Sequence, residues 1–231
     1  MEICAVVPTR GRPQNALRLA QAFKDTEAIT ELYFAIDLDD PSWADYVRHE
    51  DEYGYRCLPV KNESGGCALA LNTTAVRLLD FANYPLYDYF VFMGDDHLPR
   101  TKNWDQTLME ALGKKNGIAY GDDLFQRANL PTAYMMTRSL VHQLQGMTFP
   151  GCFHLFFDNF VKQLGLDIEN LRYVSDVVIE HIHPAAGKAE MDEGYARVNA
   201  PKWYEQDLLT LQQYLRSTEY AALVRQFKCR S

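Results

Sequence analysis

Short, wholly apolar runs alternate with stretches of helical spacing through the N-terminal half of this chain, and that rhythm limits it to few architectures. Ile3 to Val7 reads as a buried strand, and Arg12 to Lys24 as a helix with Ala16, Leu19, Ala20 and Phe23 on one face. Leu32 to Ile36 is a second strand, and Pro41 is placed to open a helix running to about Glu52. Arg56 to Val60 is a third strand. After the loop Asn62-Glu-Ser-Gly-Gly, the residues Ala68, Leu71, Ala75, Leu78 and Leu79 mark a long helix. Tyr89 to Met93 is the fourth and most apolar strand. The pattern predicts an α/β fold, a mostly parallel sheet with helices on both faces.

Beyond the fourth strand the order becomes less regular. Trp104 to Leu112 reads as a helix, Ile118 to Tyr120 and Thr132 to Met136 as short strands, His154 to Leu164 as a helix, and Tyr173 to His183 as another strand. Trp203 to Phe227 reads as one or two helices striped by Leu208, Leu211, Leu215 and Leu223. No repeat or linker divides the 231 residues, so one domain is expected, with about 1–100 as one half, 101–205 as the other and 206–231 as a helical tail. No run approaches the roughly 20 apolar residues of a membrane span. The opening Met-Glu-Ile-Cys-Ala-Val-Val-Pro carries no cationic leader, and a cytoplasmic protein is expected. Five cysteines without a CxxC pair read as core residues rather than a redox or zinc set.

In an open α/β sheet, ligands bind beyond the carboxyl ends of the strands, so the residues after each strand carry the functional signal. Pro8-Thr9-Arg10-Gly11-Arg12-Pro13 follows the first strand and offers backbone N–H groups and guanidiniums to phosphate oxygens, although a solvated turn has the same composition. Asp37-Leu38-Asp39-Asp40 follows the second. Asp40, beside Pro41, suits a helix N-cap, which leaves Asp37 for a ribose or base edge. Gly65 and Gly66 allow either close approach to a ligand or a plain flexible turn.

Gly94-Asp95-Asp96-His97 follows the fourth strand and is the most specific feature. Two adjacent carboxylates repel each other and raise at least one pKa unless a cation is present. Magnesium or manganese, which bind one or two carboxylates together with substrate phosphates, would resolve the conflict. A second metal candidate is His181-Ile182-His183, whose spacing puts both imidazoles on one side of a strand. Structural histidines occur at such spacing as well.

Together the Pro-Thr-Arg turn, Asp37, the Gly-Gly loop and Gly-Asp-Asp-His resemble nucleotide-sugar glycosyltransferases of the GT-A fold. Phe92-Met-Gly-Asp-Asp-His, Tyr120-Gly-Asp-Asp-Leu, Asn129-Leu-Pro-Thr and Glu180-His-Ile-His-Pro-Ala-Ala-Gly-Lys are similar to stretches of small glycosyltransferase-like proteins of actinobacteria and their phages. The likeness spans roughly residues 1 to 205. It implies a Rossmann-like donor half and a more variable acceptor half, with a metal bridging the donor diphosphate. It places Pro8, Thr9, Arg10 and Asp37 at the nucleoside, Asp96 on the metal and Asp95 near the donor ribose or sugar. The family motif Asp-X-Asp has Gly94 at its first position here, so metal binding would rest on Asp96 with His181 or His183. An inverting mechanism is implied with Asp158 as the base, unless Asp158 only charges its helix favourably. Asp122 and Asp123 would be further sugar or acceptor contacts, Lys188 would reach the diphosphate, and Trp104 would stack on an acceptor.

The implied activity is transfer of a sugar, from a UDP-sugar by preference, to a hydroxyl of a soluble macromolecule. A nucleotidyltransferase would carry more glycine than Gly11 alone in its first turn, and an inert nucleotide-sugar-binding module would draw its support from Gly94. A formal charge of -8 and the lack of a basic amphipathic helix disfavour a membrane-bound acceptor. Phage likeness leaves a protein side chain or a hydroxylated DNA pyrimidine. The charge leans against DNA, because the only local basic cluster is Arg225, Lys228 and Arg230, unless folding assembles Arg127, Lys188, Arg197 and Lys202.

Overall fold

The computed structural model describes residues 1–62, 66–190 and 198–228. Gly65, Arg197, Cys229 and Arg230 lie outside the described residues. The expected alternation opens the fold: β1 (Glu2–Thr9), α1 (Pro13–Asp25), β2 (Glu31–Asp37), β3 (Tyr55–Val60), α4 (Cys67–Leu78) and β4 (Tyr87–Phe92). Strands β1 to β3 and β4 pair in parallel in the order β3-β2-β1-β4. Burial on both faces explains the apolar runs of β1, β2 and β4, while the edge strand β3 alternates, with Arg56 and Pro59 exposed. Cys4 and Val6 of β1 enter one hydrophobic layer, while Ile3, Ala5 and Val7 enter the layer on the opposite face.

The remaining strands extend the sheet. They are β5 (His97–Pro99), β6 (Ile118–Asp122), β7 (Tyr134–Thr137) and β8 (Leu171–His181). Their order β4-β7-β6-β8-β5 includes antiparallel β4–β7, β6–β7 and β5–β8 pairs. One sheet thus runs through all eight described strands, and the chain forms a single α/β domain. Helices α1 and α5 (Trp104–Leu112) cover one face with α2 (Trp43–Val47). Helices α4, α6 (Arg138–Leu144), α7 (Phe157–Asp167), α8 (Pro201–Leu215) and α9 (Thr218–Lys228) cover the other. Among the described residues no helix is long and apolar enough to cross a membrane.

Three local expectations change. The helix expected from Pro41 to about Glu52 is two short helices, α2 and α3 (Glu50–Tyr53). Asp40 is not their N-cap: one carboxylate oxygen takes the Ser42 N–H at 2.8 Å and the other the Gly11 N–H at 2.8 Å, so it ties the β2 turn to the β1 turn. β5, three residues long, and α6, seven, are too short to leave a periodic signal in the sequence.

The tail is two helices, with Leu211 and Leu223 of its apolar stripe buried. It also carries the fully buried Asp207, whose oxygens accept the N–H groups of Phe153, His154 and Leu155 at 2.8, 2.9 and 2.8 Å. A buried carboxylate is stable only when its lone pairs are filled, and here three backbone donors fill them. Gly66, at the start of α4, belongs to the same packing: a Cβ there would come within 2.3 Å of the Phe153 carbonyl oxygen. Asp207→Ala should leave three buried donors unpaired and lower stability by about 3 kcal/mol, measured by urea unfolding, whereas the exposed Glu205→Ala should stay within about 0.5 kcal/mol.

Candidate active site

The sheet changes winding direction between β1 and β4, and that switch point opens a crevice at the strand ends. Thr9 and Asp95 meet across it, the Thr9 hydroxyl donating to Asp95 Oδ2 at 2.6 Å. Tyr46, from α2, accepts the Arg12 N–H at 2.7 Å and contacts Thr9 Oγ1 at 3.3 Å. Asp95 is buried, and burial together with the adjacent Asp96 charge pushes its carboxyl up to about 6, against the opposing pull of Arg12, Thr9 and Asn15. The cleft beyond these residues has a volume of about 470 Å³.

Asp96 occupies the centre of the cleft floor. Antiparallel pairing of β5 with β8 puts His97 directly opposite His181, and their rings stack with centroids 3.9 Å apart at 22°. Asp96 Oδ1 lies 3.1 Å from His97 Nδ1, and Oδ2 lies 3.4 Å from His181 Nε2. Burial raises the Asp96 carboxyl, but the two imidazoles outweigh it and hold it well below the usual range. Burial, reinforced by His97, lowers His181 despite the nearby Asp96.

These residues fit a divalent cation. One ligand atom from each of Asp96, His97 and His181 lies within 4.8 Å of the others. An ionised carboxylate beside an imidazole biased toward neutrality is the protonation state that metal ligation requires. His97 Nδ1 lies 3.1 Å from both the Gly94 nitrogen and Asp96 Oδ1, a donor and an acceptor, and its single in-plane site can satisfy only one of them. Among the described residues, buried His97 Nε2 and His181 Nδ1 find no hydrogen-bond partner. Gly94 is required by this arrangement, since a Cβ at its position would come within 2.6 Å of Asp96 Oδ1.

No family model and no curated protein matches the sequence. Solved structures do match. Staphylococcus aureus TarS superposes with a TM-score of 0.58 at 12% identity over 93% of this chain and 43% of that one, so the chain spans less than half of TarS. Residues 1–349 of TarS match with a TM-score of 0.56 at 12% identity, covering 100% of this chain and 88% of that one. Glucosyl-3-phosphoglycerate synthase of Mycobacterium tuberculosis, in complex with Mn2+, UDP and glucosyl-3-phosphoglycerate, matches at 0.60 and 14% identity, over 92% and 79% of the two chains. The chain has the GT-A fold. At these identities the likeness speaks for the architecture alone.

Within the GT-A frame the expected residues separate. Pro8, Thr9, Arg10, Asp95, Asp96, Asp158, His181 and His183 all line the cleft. His183 lies 4.8 Å from His181 between ring centroids, yet the compact ligand group contains His97 in its place, and His183 Nδ1 accepts the Ala185 N–H at 3.1 Å. Asp37 is buried behind Arg10 instead of lining the cleft: its oxygens accept from Arg10 and Asn62, each at 2.9 Å. Arg10 also forks onto Asp39 at 2.5 and 3.1 Å, and these bonds hold its charge firmly. Gly66 makes its close approach to Phe153, not to the cleft.

Four expected contacts do not reach the main cleft. Asp122 accepts the Leu124 N–H at 2.7 Å, and its neighbour Asp123 is buried, holding the following turn through Phe125, Gln126, Arg127 and Thr132. Lys188 pairs with Glu180 at 2.8 Å and lines a smaller hollow of about 290 Å³ with Arg12 and Arg18. Trp104, expected to stack on an acceptor, is fully buried against Phe23, with ring centroids 5.4 Å apart. Asp158 opens α7 on the far wall, where burial raises its carboxyl above the usual range despite the opposing bonds and the His181 charge. Sequence reasoning missed His97, Asp207 and Tyr204, the last also on that wall.

Folding favours the protonated form of Asp95, so its contribution to stability is fully present below about pH 4 and is lost as pH rises through about 6. Asp96 works in the opposite sense, losing its contribution only as pH falls below the usual carboxylate range. In metal-free protein, parental stability relative to Asp95→Asn should therefore fall by about 2 kcal/mol between about pH 4.5 and pH 7. Urea unfolding of both proteins across that range measures it, and a constant difference would show that Asp95 titrates as an ordinary carboxylate.

Proposed function

We propose that this protein transfers a sugar from a nucleoside diphosphate sugar to a hydroxyl acceptor, with a divalent cation held by Asp96, His181 and His97. One observation carries the reading: Asp96 lies between two imidazoles at the switch point of a GT-A sheet, in one cleft with Asp158. Residues 1–100 serve as the donor half and 101–205 as the acceptor half. The UDP and Mn2+ in the mycobacterial synthase favour a UDP-sugar with manganese. The likeness to phage and actinobacterial proteins rests on sequence motifs alone.

When bound, a manganese or magnesium ion supplies Lewis-acid charge to the departing diphosphate. Thr9 and Arg12 hold the Asp95 carboxylate in place, and Asp95 accepts from a donor ribose or sugar hydroxyl. Asp37 and Asp39 fix the direction of Arg10, whose exposed edge meets the nucleoside side of the donor. The acceptor oxygen attacks the anomeric carbon as its proton passes to Asp158. The bond from that carbon to the phosphate oxygen breaks, and its electron pair leaves with the nucleoside diphosphate. Attack opposite the leaving group inverts the anomeric configuration. The raised Asp158 pKa brings that carboxylate closer to the operating range of a general base.

Calorimetric titration with UDP-sugars should give binding that needs Mn2+, with Asp96→Ala weakening it at least about tenfold and chelator abolishing it. Unchanged affinity in both cases would sink the metal assignment. Asp158→Asn should lower transfer on the order of 10²- to 10⁴-fold. Near-parental turnover, or a product that keeps the donor's configuration, would remove Asp158 from the role.

A further inference from the structure

The far wall of the cleft has a composition that the transferase reading leaves unused. Helix α8 approaches the cleft with three consecutive tasks divided among its residues. Trp203 stacks on Phe153 with ring centroids 3.8 Å apart at 16°, and Asp207 holds the backbone of residues 153–155. Tyr204 lies between these anchors, lines the cleft and keeps 51% of its surface exposed. Its place is therefore set by its neighbours, and its ring remains open to a ligand.

Phe156 completes a corner with Tyr204, the two rings meeting at 61° with centroids 5.0 Å apart. Phe156 is in the left-handed backbone region, with φ 67° and ψ 18°. A bulky side chain there costs about 1–3 kcal/mol and persists where the surroundings over-determine it. Here the Asp207 bonds fix the chain just before it and α7 begins just after it. Two residues on, the same turn presents Asp158 to the cleft.

Charge decides what this corner can hold. Of the described residues lining the cleft, the guanidiniums are Arg10 and Arg12, both in the β1 turn and both paired, to Asp37 and Asp39 and to Asp95. The rest of the lining includes the amides of Asn159 and Asn199 and the carboxylate of Asp158. Among the described residues lining the cleft, no lysine or arginine lies outside the β1 turn, so a phosphorylated or polyanionic acceptor meets the Asp158 carboxylate without one. An uncharged ring with one C–H face and several hydroxyls matches all of it: the face lies on an aromatic ring, and the hydroxyls meet amides and the base.

We infer that the acceptor is a neutral pyranose, seated on the Tyr204–Phe156 corner with one ring hydroxyl delivered to Asp158. The inference rests on the transferase reading above. The acceptor O–H bond breaks with its proton moving to Asp158, the oxygen–anomeric carbon bond forms, and the nucleoside diphosphate departs with the electrons of the broken bond. The product is a disaccharide unit, and no oxidant or reductant is involved.

Saturation-transfer NMR on the full chain, with Mn2+ and UDP or GDP present, tests the site with the methyl pyranosides of glucose, galactose, mannose and N-acetylglucosamine. At least one should receive saturation at its ring C–H protons and accelerate consumption of the matching donor. Tyr204→Ala should raise the KM of that glycoside at least about tenfold, with a smaller effect on kcat, and Tyr204→Phe should stay within about threefold of the parent. Nucleotide binding without transfer to any glycoside overturns the inference and leaves the donor reading standing. So does an unchanged KM in Tyr204→Ala, or turnover only with a hydroxymethylated DNA oligonucleotide or a serine peptide. Absence of nucleotide binding overturns both.

Discussion

The site depends on one short pairing, the three-residue antiparallel ladder between β5 and β8. It joins the chain just after the central strand β4 to a strand from far along the sequence, and its register puts His97 across from His181. Backbone bonds from Ile182 to the Asp96 carbonyl at 2.8 Å and from His181 to the Asp123 carbonyl at 3.1 Å lock the same junction. A shift of one residue would turn one imidazole to the opposite face of the sheet and leave Asp96 with a single partner. Much of the irregular second half of the fold serves to hold that register.

That junction also divides the labour of two adjacent carboxylates. Asp95 and Asp96 differ by one residue, yet one is pushed toward protonation and the other held ionised. Their surroundings explain the split: Asp95 is buried against Thr9, Asn15 and Arg12 beside the Asp96 charge, whereas Asp96 turns toward two imidazoles. Two buried neighbouring carboxylates repel each other, so the pair is more stable with a proton on Asp95 or a cation at Asp96. The same repulsion favours a divalent ion at Asp96 and its imidazoles.

How much of this was legible in the sequence follows from what leaves a local trace. Strands β1, β2 and β4 are legible because burial on both faces leaves apolar runs, β3 through its alternation, and Asp96 because it follows the β4 run directly. His181 was found through its spacing with His183, but His97 was not, since β5 is too short to show a period and only tertiary pairing gives that histidine its place. The acceptor contact that the resemblance implies for Trp104 is displaced by its packing on Phe23, a non-local contact that leaves no trace in the sequence. Gly66 does permit a close approach, as its residue type suggested, although the group approaching is the Phe153 carbonyl. Asp207 left no trace because an acid on a polar helix reads as solvated until the helix is docked.

Asp207 also changes how the C-terminal helices relate to the rest of the chain. A tail that only covered apolar surface would need Leu211, Leu223 and Phe227, all of which are buried. It would not need a carboxylate, because placing a charge in a core costs several kcal/mol before any bond is made. That cost is offset only where the three donors are already aimed at one point, which is the conformation residues 153–155 hold in the cleft wall. Docking of α8 and ordering of that wall are consequently one event. Tyr204, three residues before Asp207 on the same helix, lines the cleft in this docked arrangement, so that part of the cleft wall depends on the tail.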